Sequence, residues 1–505
     1  MRFELKSVEF YGNTIVSSDN LNKYFLHLIG KEVGFKEIVD AISDITLAYQ
    51  SMGYITSKAY IPPQDVIDGV LKINILEGKI GQIDINKTKR VKSSYIKNNF
   101  IRSNNLEESK IFNVNNLKNS LNELNSTEYL KGKVILKQGN ESQTTDIILD
   151  IKDRFPVNFG ASTDNFGRNY TGLQRFGLNV GTPNITGFGD SLNNHLDFSK
   201  GLFGINTVYS VPVGSKGAKL QFGYSHSDIK IGQELKSEKI KGKSNDFNTK
   251  ISMPLYKKNN LIINSEIGFE MLSSKTESSV NSAYNNKYEL RVLRTGLNLI
   301  KEDNSGRWIS SATVNTGLPF LGAKTKKEDE SDATSKFVKL EGSLIRIQSL
   351  PLKSFGIFRL SGQYSPSHLL SAEQTQAGGM YSVRGYREGV LYGDLGYNLT
   401  LEARKAVPYL PSTVSVPYGK DKNIKIPVKN RIYMSVFYDQ AIAREHRQGI
   451  SYSYKNFLQS VGAGLNISLT KFINANMYIG VPLGRQRDDK QNSVRFHFDI
   501  SSDLI

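Results

Sequence analysis

Side chains that most often act as nucleophiles or metal ligands are sparse in this chain. It has six His and no Cys, which excludes disulfides, thiolate metal sites and cysteine nucleophiles. His446 and His497 stand alone, and each is expected to be a surface or channel-lining residue, not a ligand. No Gly-x-Ser-x-Gly stretch indicates a serine hydrolase. We therefore predict that the protein is not an enzyme and holds neither a metal ion nor a cofactor.

One glycine-rich stretch, residues 377–389, places a basic side chain, Arg384, among small and aromatic neighbours. The pair Gly378 and Gly379 could cradle a phosphate only in a turn between a strand and a helix. No such setting surrounds them, so phosphate binding is not indicated. A guanidinium buried in such a stretch needs a carboxylate partner.

The elements that must position these residues change in character at about residue 154. Before it, strand and helix patterns follow the order β-α-α-β-β, and that order occurs twice, in units of about 75 residues. The first unit predicts strands over 3–10, 55–61 and 70–76, a helix from Ser17 to Leu28 and an amphipathic helix over 35–49. The second unit predicts strands over 79–86, 134–137 and 145–152, and helices over 91–100 and 114–124.

Beyond residue 154 helical spacing disappears, and short alternating strands are separated by Gly- and Asn-rich loops. Apolar and polar side chains alternate most clearly over 432–439 and 494–501, as a lipid-facing barrel wall requires. Residues 154–505 number 352, which at about 22 residues per strand and loop gives about sixteen strands. The alternative is a soluble β-sandwich, which needs two apolar inner faces and usually fewer residues.

The net charge of +17 lies almost wholly in this second part. Residues 1–153 carry 20 Lys/Arg against 19 Asp/Glu, which leaves 45 against 29 for the remainder. Nucleic-acid binding is one interpretation of a basic excess, but no basic helix or stripe supports it. Lysines in solvated loops or on leaflet surfaces are the plainer explanation, and a cationic channel lining is a third.

Three stretches are more specific than composition. They are FNVNNLKNSLNELN at 112–125, TDNFGRNYTGLQR at 163–175 with Asn184 and GFGD at 187–190 after it, and AGGMYSVRGYREG at 377–389. Together they resemble the two-partner secretion transporters, the haemolysin secretion/activation family, whose wider superfamily includes the outer-membrane assembly insertases. The Val-Arg-Gly-Tyr tetrapeptide is similar to the signature of that family's sixth extracellular loop, and the resemblance covers essentially the whole chain.

The resemblance implies two α+β POTRA-like domains, at 1–78 and 79–153, followed by an all-β 16-stranded transmembrane barrel at 154–505. It implies a lumen loop at about 372–395, and a location in the bacterial outer membrane with the N-terminal domains in the periplasm. Met1 leads straight into a strand-like start, so a leader is expected to have been trimmed from the chain.

The resemblance also implies that the loop motif folds into the barrel lumen, where Arg384 meets a carboxylate of the wall. Strands counted back from the C-terminus place the motif between the eleventh and twelfth strands, which is the sixth outer loop. If Ile432 and Met434 face lipid, Asp439 faces inward and is the expected partner. Glu402 faces inward by the same parity and is the second candidate. A solvated surface loop is the alternative for Arg384.

Further site residues follow from the resemblance. Gly385 is expected to permit a tight loop tip. Phe496 and Phe498 of the last strand are expected to form the signal for assembly into the membrane. The loop motif comprises Val383, Arg384, Gly385 and Tyr386, and the barrel-start motif comprises Asp164, Asn165, Gly167, Thr171, Gly172 and Arg175.

The implied function is a pore that recognises and secretes one large partner exoprotein across the outer membrane without nucleotide hydrolysis. That partner would be an adhesin, a haemolysin, a haem-acquisition protein or a contact-dependent toxin. Outer-membrane lipid, including lipopolysaccharide, and the outer-membrane assembly machinery are further expected partners; nucleic acid is not, and a monomer is expected. The alternatives are an assembly insertase, which generally carries more POTRA units, and a passive porin, which leaves the N-terminal units without a role.

Overall fold

The chain divides into an α+β unit and an all-β unit, each described below by itself. The computed structural model describes residues 2–86, 88–127, 129–153, 157–214, 217–258, 260–325, 333–418, 422–446, 456–469, 473–483 and 494–504. The first unit comprises Met1–Pro156 with Thr186–Gly189 and Gly214–Gly217. The second unit comprises Val157–Ile185, Asp190–Val213 and Ala218–Ile505. No helix among the described residues is long and apolar enough to cross a membrane.

The first α+β domain packs its helices on a three-stranded sheet ordered β2-β5-β4, in which β2 and β5 are parallel. β1 and β3 form a separate two-stranded pair. Leu5, Phe25, Ile45 and Ile73 are fully buried between the layers. The elements are β1 (Arg2–Glu4), β2 (Ser7–Tyr11), α1 (Ser18–Asn22), β3 (Glu32–Gly34), α2 (Phe35–Ser51), β4 (Lys58–Tyr60) and β5 (Val70–Leu76).

Two details of this domain differ from the expectation. The single strand expected over 3–10 is two strands, because Leu5 is fully buried and Lys6 donates its backbone N–H to Gly69 at 2.8 Å. The helix expected to run to Leu28 ends at Asn22. Beyond it the backbone N–H of Leu28 bonds three residues back, to Phe25. These tighter turns keep both side chains in the core.

The second α+β domain repeats the β-α-α-β-β order and the sheet arrangement, β6-β8-β7 with β6 and β8 parallel. The helix expected over 91–100 begins as α3 and widens into a π turn, so Phe100 and Ile101 are both buried. The elements are β6 (Lys79–Ile85), α3 (Ser93–Ile96) with the π turn Lys97–Ile101 and the 3-10 turn Arg102–Asn104, α4 (Val114–Ser126), β7 (Leu130–Gln138) and β8 (Thr144–Asp153).

A buried carboxylate, Glu77, fastens the loop after β2 to helix α2. Glu77 is 8% exposed and accepts the backbone N–H groups of Thr14 and Ile15, each at 2.8 Å. It also accepts the hydroxyl of Tyr49 at 2.9 Å. Burial, and after it the hydrogen bond to Glu77, raise the pKa of Tyr49, so this hydroxyl remains a donor. The carboxylate therefore satisfies donors from two elements.

Replacing Glu77 by Gln is expected to loosen this loop, because an amide presents a donor where the carboxylate accepted. A buried donor without an acceptor costs about 1–3 kcal/mol. Hydrogen exchange of the Thr14 and Ile15 amides in the full-length protein should therefore accelerate by about tenfold. Glu9→Gln is the control, because Glu9 is exposed and bonds to exposed Tyr11. Unchanged exchange in E77Q would contradict this role.

The second unit is a closed antiparallel barrel of sixteen strands, sealed by pairing of β29 with β9. The two residues of β18 add a short pairing to β16, and two small hairpins, β21–β22 and β24–β25, form separate sheets that are not part of the wall. The wall strands are β9 (Asn158–Asp164), β10 (Arg175–Pro183), β11 (Ser191–Ser199), β12 (Leu202–Val213), β13 (Ala218–Lys230), β14 (Ile240–Lys258), β15 (Leu261–Ser278), β16 (Asn286–Asp303), β17 (Gly306–Gly317), β19 (Val338–Leu350), β20 (Ser354–Tyr364), β23 (Leu395–Ala406), β26 (Ile432–Arg444), β27 (Phe457–Ser468), β28 (Ile473–Pro482) and β29 (Arg495–Leu504). The remaining short elements are β18 (Lys324–Thr325), β21 (Thr375–Ala377), β22 (Leu391–Gly393), β24 (Thr413–Tyr418), β25 (Lys422–Pro427) and the 3-10 turns Gln233–Glu238 and Ser282–Tyr284.

Strand register separates an apolar outer face from a polar inner face. Cross-strand pairing puts Thr400, Asp439 and Ser460 on one face, whereas Val436 and Phe496, on the other, are 61% and 51% exposed. The inner face carries basic residues, but acidic residues are at least as numerous, so a cationic lining does not hold for the described strand positions. They are Arg175, Lys219, Lys250, Lys257, Arg294, Arg307, Lys339, Arg359, Arg404 and Arg495, with Asp164, Asp197, Asp246, Glu266, Glu270, Glu302, Glu341, Glu402, Asp439, Asp499 and Asp503.

Candidate functional site

The connection between β20 and β23, residues 365–394, folds into the barrel; we call it the lumen loop. Its short strands β21 and β22 pair with each other. Val383 and Tyr386 of this loop are buried against Ala441 and Leu458, which belong to wall strands β26 and β27. Because these wall residues share the inner face, the loop occupies the lumen and is not a surface loop.

Arg384 sits at the centre of a buried ionic cluster. Its Nε and Nη2 donate to the two oxygens of Asp439, at 2.8 and 2.9 Å. Its Nη1 donates to Glu402 at 2.7 Å. All three residues are at most 8% exposed. Such a fork of charge-assisted bonds fixes both the position and the orientation of the loop tip, and we call it the arginine clamp.

Aromatic rings and a histidine complete the surroundings of the arginine. The guanidinium lies 3.4 Å from the ring centroid of Phe437 and 4.9 Å from that of Tyr478, in cation–π geometry. His497 Nε2 lies 2.8 Å from the carbonyl oxygen of Arg384, which makes that nitrogen the donor. Loop backbone and side chain are therefore both held.

Gly385 is needed for a different reason from the one expected. Its backbone does not adopt the positive φ that favours glycine, so a tight loop tip does not explain it. Instead a Cβ there would lie 2.6 Å from the Cβ of Ser460 and 2.8 Å from the backbone nitrogen of Pro482. The loop approaches the wall too closely for any side chain at this position.

A second ionic cluster holds the beginning of the lumen loop, with the charges reversed. Glu373 is 2% exposed. Its Oε1 accepts from Arg294 Nη2 at 3.0 Å, and its Oε2 lies 2.7 Å from Lys339 Nζ. Lys339 also donates to the Glu373 carbonyl at 3.1 Å. We call this the glutamate clamp: here the loop supplies the anion, and wall strands β16 and β19 supply the cations.

Comparison with known proteins identifies this arrangement. The model of the haemolysin secretion/activation protein family ShlB/FhaC/HecB matches residues 143–417, and that of the ShlB-type POTRA domain matches residues 3–78. The chain belongs to the haemolysin secretion/activation family. It is an outer-membrane pore of two-partner secretion, with its POTRA domains in the periplasm.

Individual relatives of this transporter are distant but cover most of its length. A haem/hemopexin transporter protein, HuxB, of Haemophilus influenzae is 24% identical over 97% of this chain and 85% of its own. The outer membrane transporter CdiB of Dickeya dadantii is 24% identical over 78% of this chain and 71% of its own. Among solved structures, CdiB from Escherichia coli has a TM-score of 0.76 at 18% identity, covering 100% of this chain and 91% of its own. BamA from Haemophilus ducreyi lacking POTRA domains 1–3 has a TM-score of 0.62 at 16% identity, covering 99% of this chain and 100% of its own. This is a likeness of fold alone.

The barrel-start motif of the transporter organises the first outer hairpin, between β9 and β10. Arg175 Nε and Nη2 donate to the two oxygens of Asp164, at 2.9 and 3.0 Å. Gly172 has a φ of +105°, and a Cβ on Gly167 would lie 1.9 Å from the carbonyl oxygen of Gly172. The Thr171 carbonyl accepts the backbone N–H of Gly201 at 2.7 Å, which ties this hairpin to the next.

Asn165 of this motif extends the seam between the first and last strands. Its Nδ2 donates to the carbonyl of Phe496 at 2.8 Å, and its Oδ1 accepts the backbone N–H of Phe498 at 2.9 Å. The last residues paired in the seam are Asp164 and Asp499, and beyond them the backbone N–H of Asn165 donates to the carbonyl of Phe498 at 3.3 Å. The side-chain amide thus takes the place of a further peptide group and closes the outer end of the seam.

Substituting Asn165 by Ala is expected to fray this end of the seam, because it removes one donor and one acceptor together. Two neutral hydrogen bonds contribute about 1–3 kcal/mol, so exchange of the Phe498 amide should accelerate by about tenfold. In Asn165→Asp the exchange rate of the Phe498 amide should lie between those of the wild type and N165A. The carboxylate keeps the acceptor for this amide but repels the Phe496 carbonyl. Asn169→Ala in the same hairpin is the control, and equal exchange in N165A and N169A would refute the role.

The predicted residues form two groups in the structure. Arg384, Asp439 and Glu402 meet directly. Asp164 and Arg175 line a lumen cavity of about 650 Å³ together with Arg384 and Glu402. The ring of Phe166 contacts that of Tyr381 at 5.6 Å, so the first hairpin touches the lumen loop. Phe496 and Phe498 lie outside this site: they stack on one face of β29, with ring centroids 6.0 Å apart.

Sequence reasoning missed the glutamate clamp and one further anchor of the loop. Asp394 is fully buried and accepts from His368 Nδ1 at 2.7 Å and from the backbone N–H of Leu369 at 2.8 Å. It draws together the two ends of the loop. The available signal was an acidic residue on either side of the glycine-rich motif, Glu373 and Asp394. Among the described residues, no group of three or more His, Asp and Glu is placed to hold a metal ion.

Proposed function

We propose that this transporter exports one large exoprotein through its lumen and that the lumen loop is the gate. The observation that carries the proposal is the buried arginine clamp, which fixes the loop across the path that an exported chain would take. Buried ion pairs are costly to form and costlier to break singly. Groups of this kind are suited to hold one of two discrete arrangements of a loop.

The POTRA domains would capture an extended segment of the partner before it enters the pore. Each contains a three-stranded sheet with edge strands, and an extended peptide can add to such an edge through main-chain hydrogen bonds. Direction would come from folding of the partner outside the cell and not from nucleotide hydrolysis. We propose that the protein acts as a monomer and that Phe496 and Phe498 direct its assembly by the outer-membrane machinery.

The class of partner follows from the names of the relatives. Curated relatives that match nearly the whole chain are haem/hemopexin transporter proteins, whereas the CdiB transporters match about four fifths of it. A haem-acquisition exoprotein is therefore the first candidate, ahead of a contact-dependent toxin, an adhesin or a haemolysin.

Deletion of the transporter, followed by a protein census, tests this function. Export predicts that one very large protein disappears from the culture medium while the outer-membrane proteome is unchanged. Broad loss of outer-membrane proteins would replace the proposal with an assembly insertase. Re-expression of the transporter in the same strain should restore the missing protein.

A further inference from the structure

A lysine-rich surface at the outer ends of β13 to β16 takes no part in the lumen. Lys230 lies directly opposite Lys241, and Lys275 lies between Lys243 and Lys287 on its two neighbouring strands. Like charges directly opposed on adjacent strands repel each other. Lys243, Lys275 and Lys287 each have a neighbouring carboxylate. Lys230 and Lys241 form no ion pair within the described residues, so an anion held between these two would remove their repulsion.

These lysines face away from the lumen, just beyond the apolar belt. Lys243 and Phe247 are four residues apart on β14, hence on the same face and about 13 Å apart along the strand. Phe247 is 52% exposed and its ring lies 6.4 Å from that of Tyr224 on β13. Aromatic residues of this kind mark the membrane interface of a barrel, so the lysines lie at the level of lipid head groups.

A cavity of about 570 Å³ lies among these side chains. Its rim also includes two carboxylates, Asp228 and Glu277, which leaves an excess of three positive charges. Phe203, which is 47% exposed, adds an apolar wall. Five lysines line the rim: Lys200, Lys230, Lys241, Lys243 and Lys275. Within the described part of the chain, no carboxylate forms an ion pair with Lys200, Lys230 or Lys241.

We propose that this cavity binds the phosphate groups of lipid A, the membrane anchor of lipopolysaccharide in the outer leaflet. The lysines would neutralise the phosphates, while the acyl chains would lie along the apolar belt beside Phe203 and Phe247. A solvated lysine surface would need neither a concave site nor an adjoining aromatic wall. The proposal rests on the outer-membrane location of the transporter and names a lipid-binding site on its outer rim.

Binding of purified lipid A to the full-length transporter in detergent tests the proposal. The variant Lys230→Gln, Lys241→Gln, Lys275→Gln removes three rim charges. The control Lys219→Gln, Lys257→Gln, Lys301→Gln removes three charges at the opposite ends of β13, β14 and β16. Bisphosphorylated lipid A should bind the rim variant at least about tenfold more weakly than the wild type and the control. Lipid A without phosphates should bind all three proteins equally weakly.

Two results would overturn the assignment: equal binding of bisphosphorylated lipid A to the rim variant and the control, or equally tight binding of phosphatidylglycerol to the wild type. A heat-dependent shift in electrophoretic mobility confirms that each barrel is folded before binding is measured. Because lipid A binding requires no exported partner, its failure would leave the secretion function untouched. A failure of secretion would likewise leave this site standing.

Discussion

Arg384→Ala should lower secretion of the partner exoprotein at least about tenfold while leaving the amount of folded barrel in the outer membrane unchanged. The substitution leaves Asp439 buried without its counter-ion and leaves Glu402 paired with Arg404 alone, at 2.6 Å. Removing one partner of a buried pair costs about 3–5 kcal/mol. That cost falls on the docked loop and not on the closed wall, whose strands pair independently of it. Because the glutamate clamp still holds the loop at Glu373, the loop continues to obstruct the lumen, but its tip has lost its defined position.

The matched control for this variant is Arg359→Ala. Arg359 lies on β20, lines the same lumen cavity and forms no ion pair within the described residues, so its loss removes an equal charge without breaking a clamp. Arg384→Lys should resemble the alanine variant, because an ammonium cannot form the fork to Asp439. Partner in the medium is measured against surface-exposed transporter. Normal secretion by R384A, at the same amount of surface-exposed transporter as the wild type, would contradict the gating role of the arginine clamp.

The fold was largely predictable because barrel physics leaves a strong trace in sequence. Alternation over 432–439 gives the orientation of β26, and a one-residue error in parity would have put Asp439 in lipid. The same parity placed Glu402 on the inner face. Strand counting then located the loop, since the alternation predicted each of the six wall strands β20, β23, β26, β27, β28 and β29 separately. The structure places Arg384 between these two carboxylates.

The second anchor of the loop could not be predicted, because its partners are distant in sequence and unremarkable locally. Glu373 is 79 residues from Arg294 and 34 from Lys339. Nothing in the alternation of β16 or β19 distinguishes these two cations from other basic residues of the inner face. Which of them the loop reaches depends on how its 30 residues cross the lumen, and the register of individual strands does not determine that path.

Releasing both clamps should open the pore permanently, which is the largest change in conduction expected of any variant here. The clamps share no side chain, and they hold the loop at positions 373 and 384 by opposite charges. Their contributions to the docked state should therefore be nearly additive. Each loss should cost about 3 kcal/mol, the lower end of the range for a broken buried pair, because Arg294, Lys339 and Glu402 keep a second partner. Loss of both is then close to the roughly 5.5 kcal/mol that shifts a two-state equilibrium from 99:1 to 1:99.

Planar-bilayer conductance of Glu373→Ala, Arg384→Ala and the double variant measures this. Each single variant should show brief openings, because the other clamp keeps the loop near the wall, whereas the double variant should conduct continuously and sensitise cells to large antibiotics. Glu266→Ala is the control. Glu266 faces the lumen on β15 and lies 3.5 Å from Lys250, but it belongs to neither clamp. A double variant no more conductive than R384A alone would show that the glutamate clamp does not hold the gate, because two independent anchors cannot both be lost without releasing the loop.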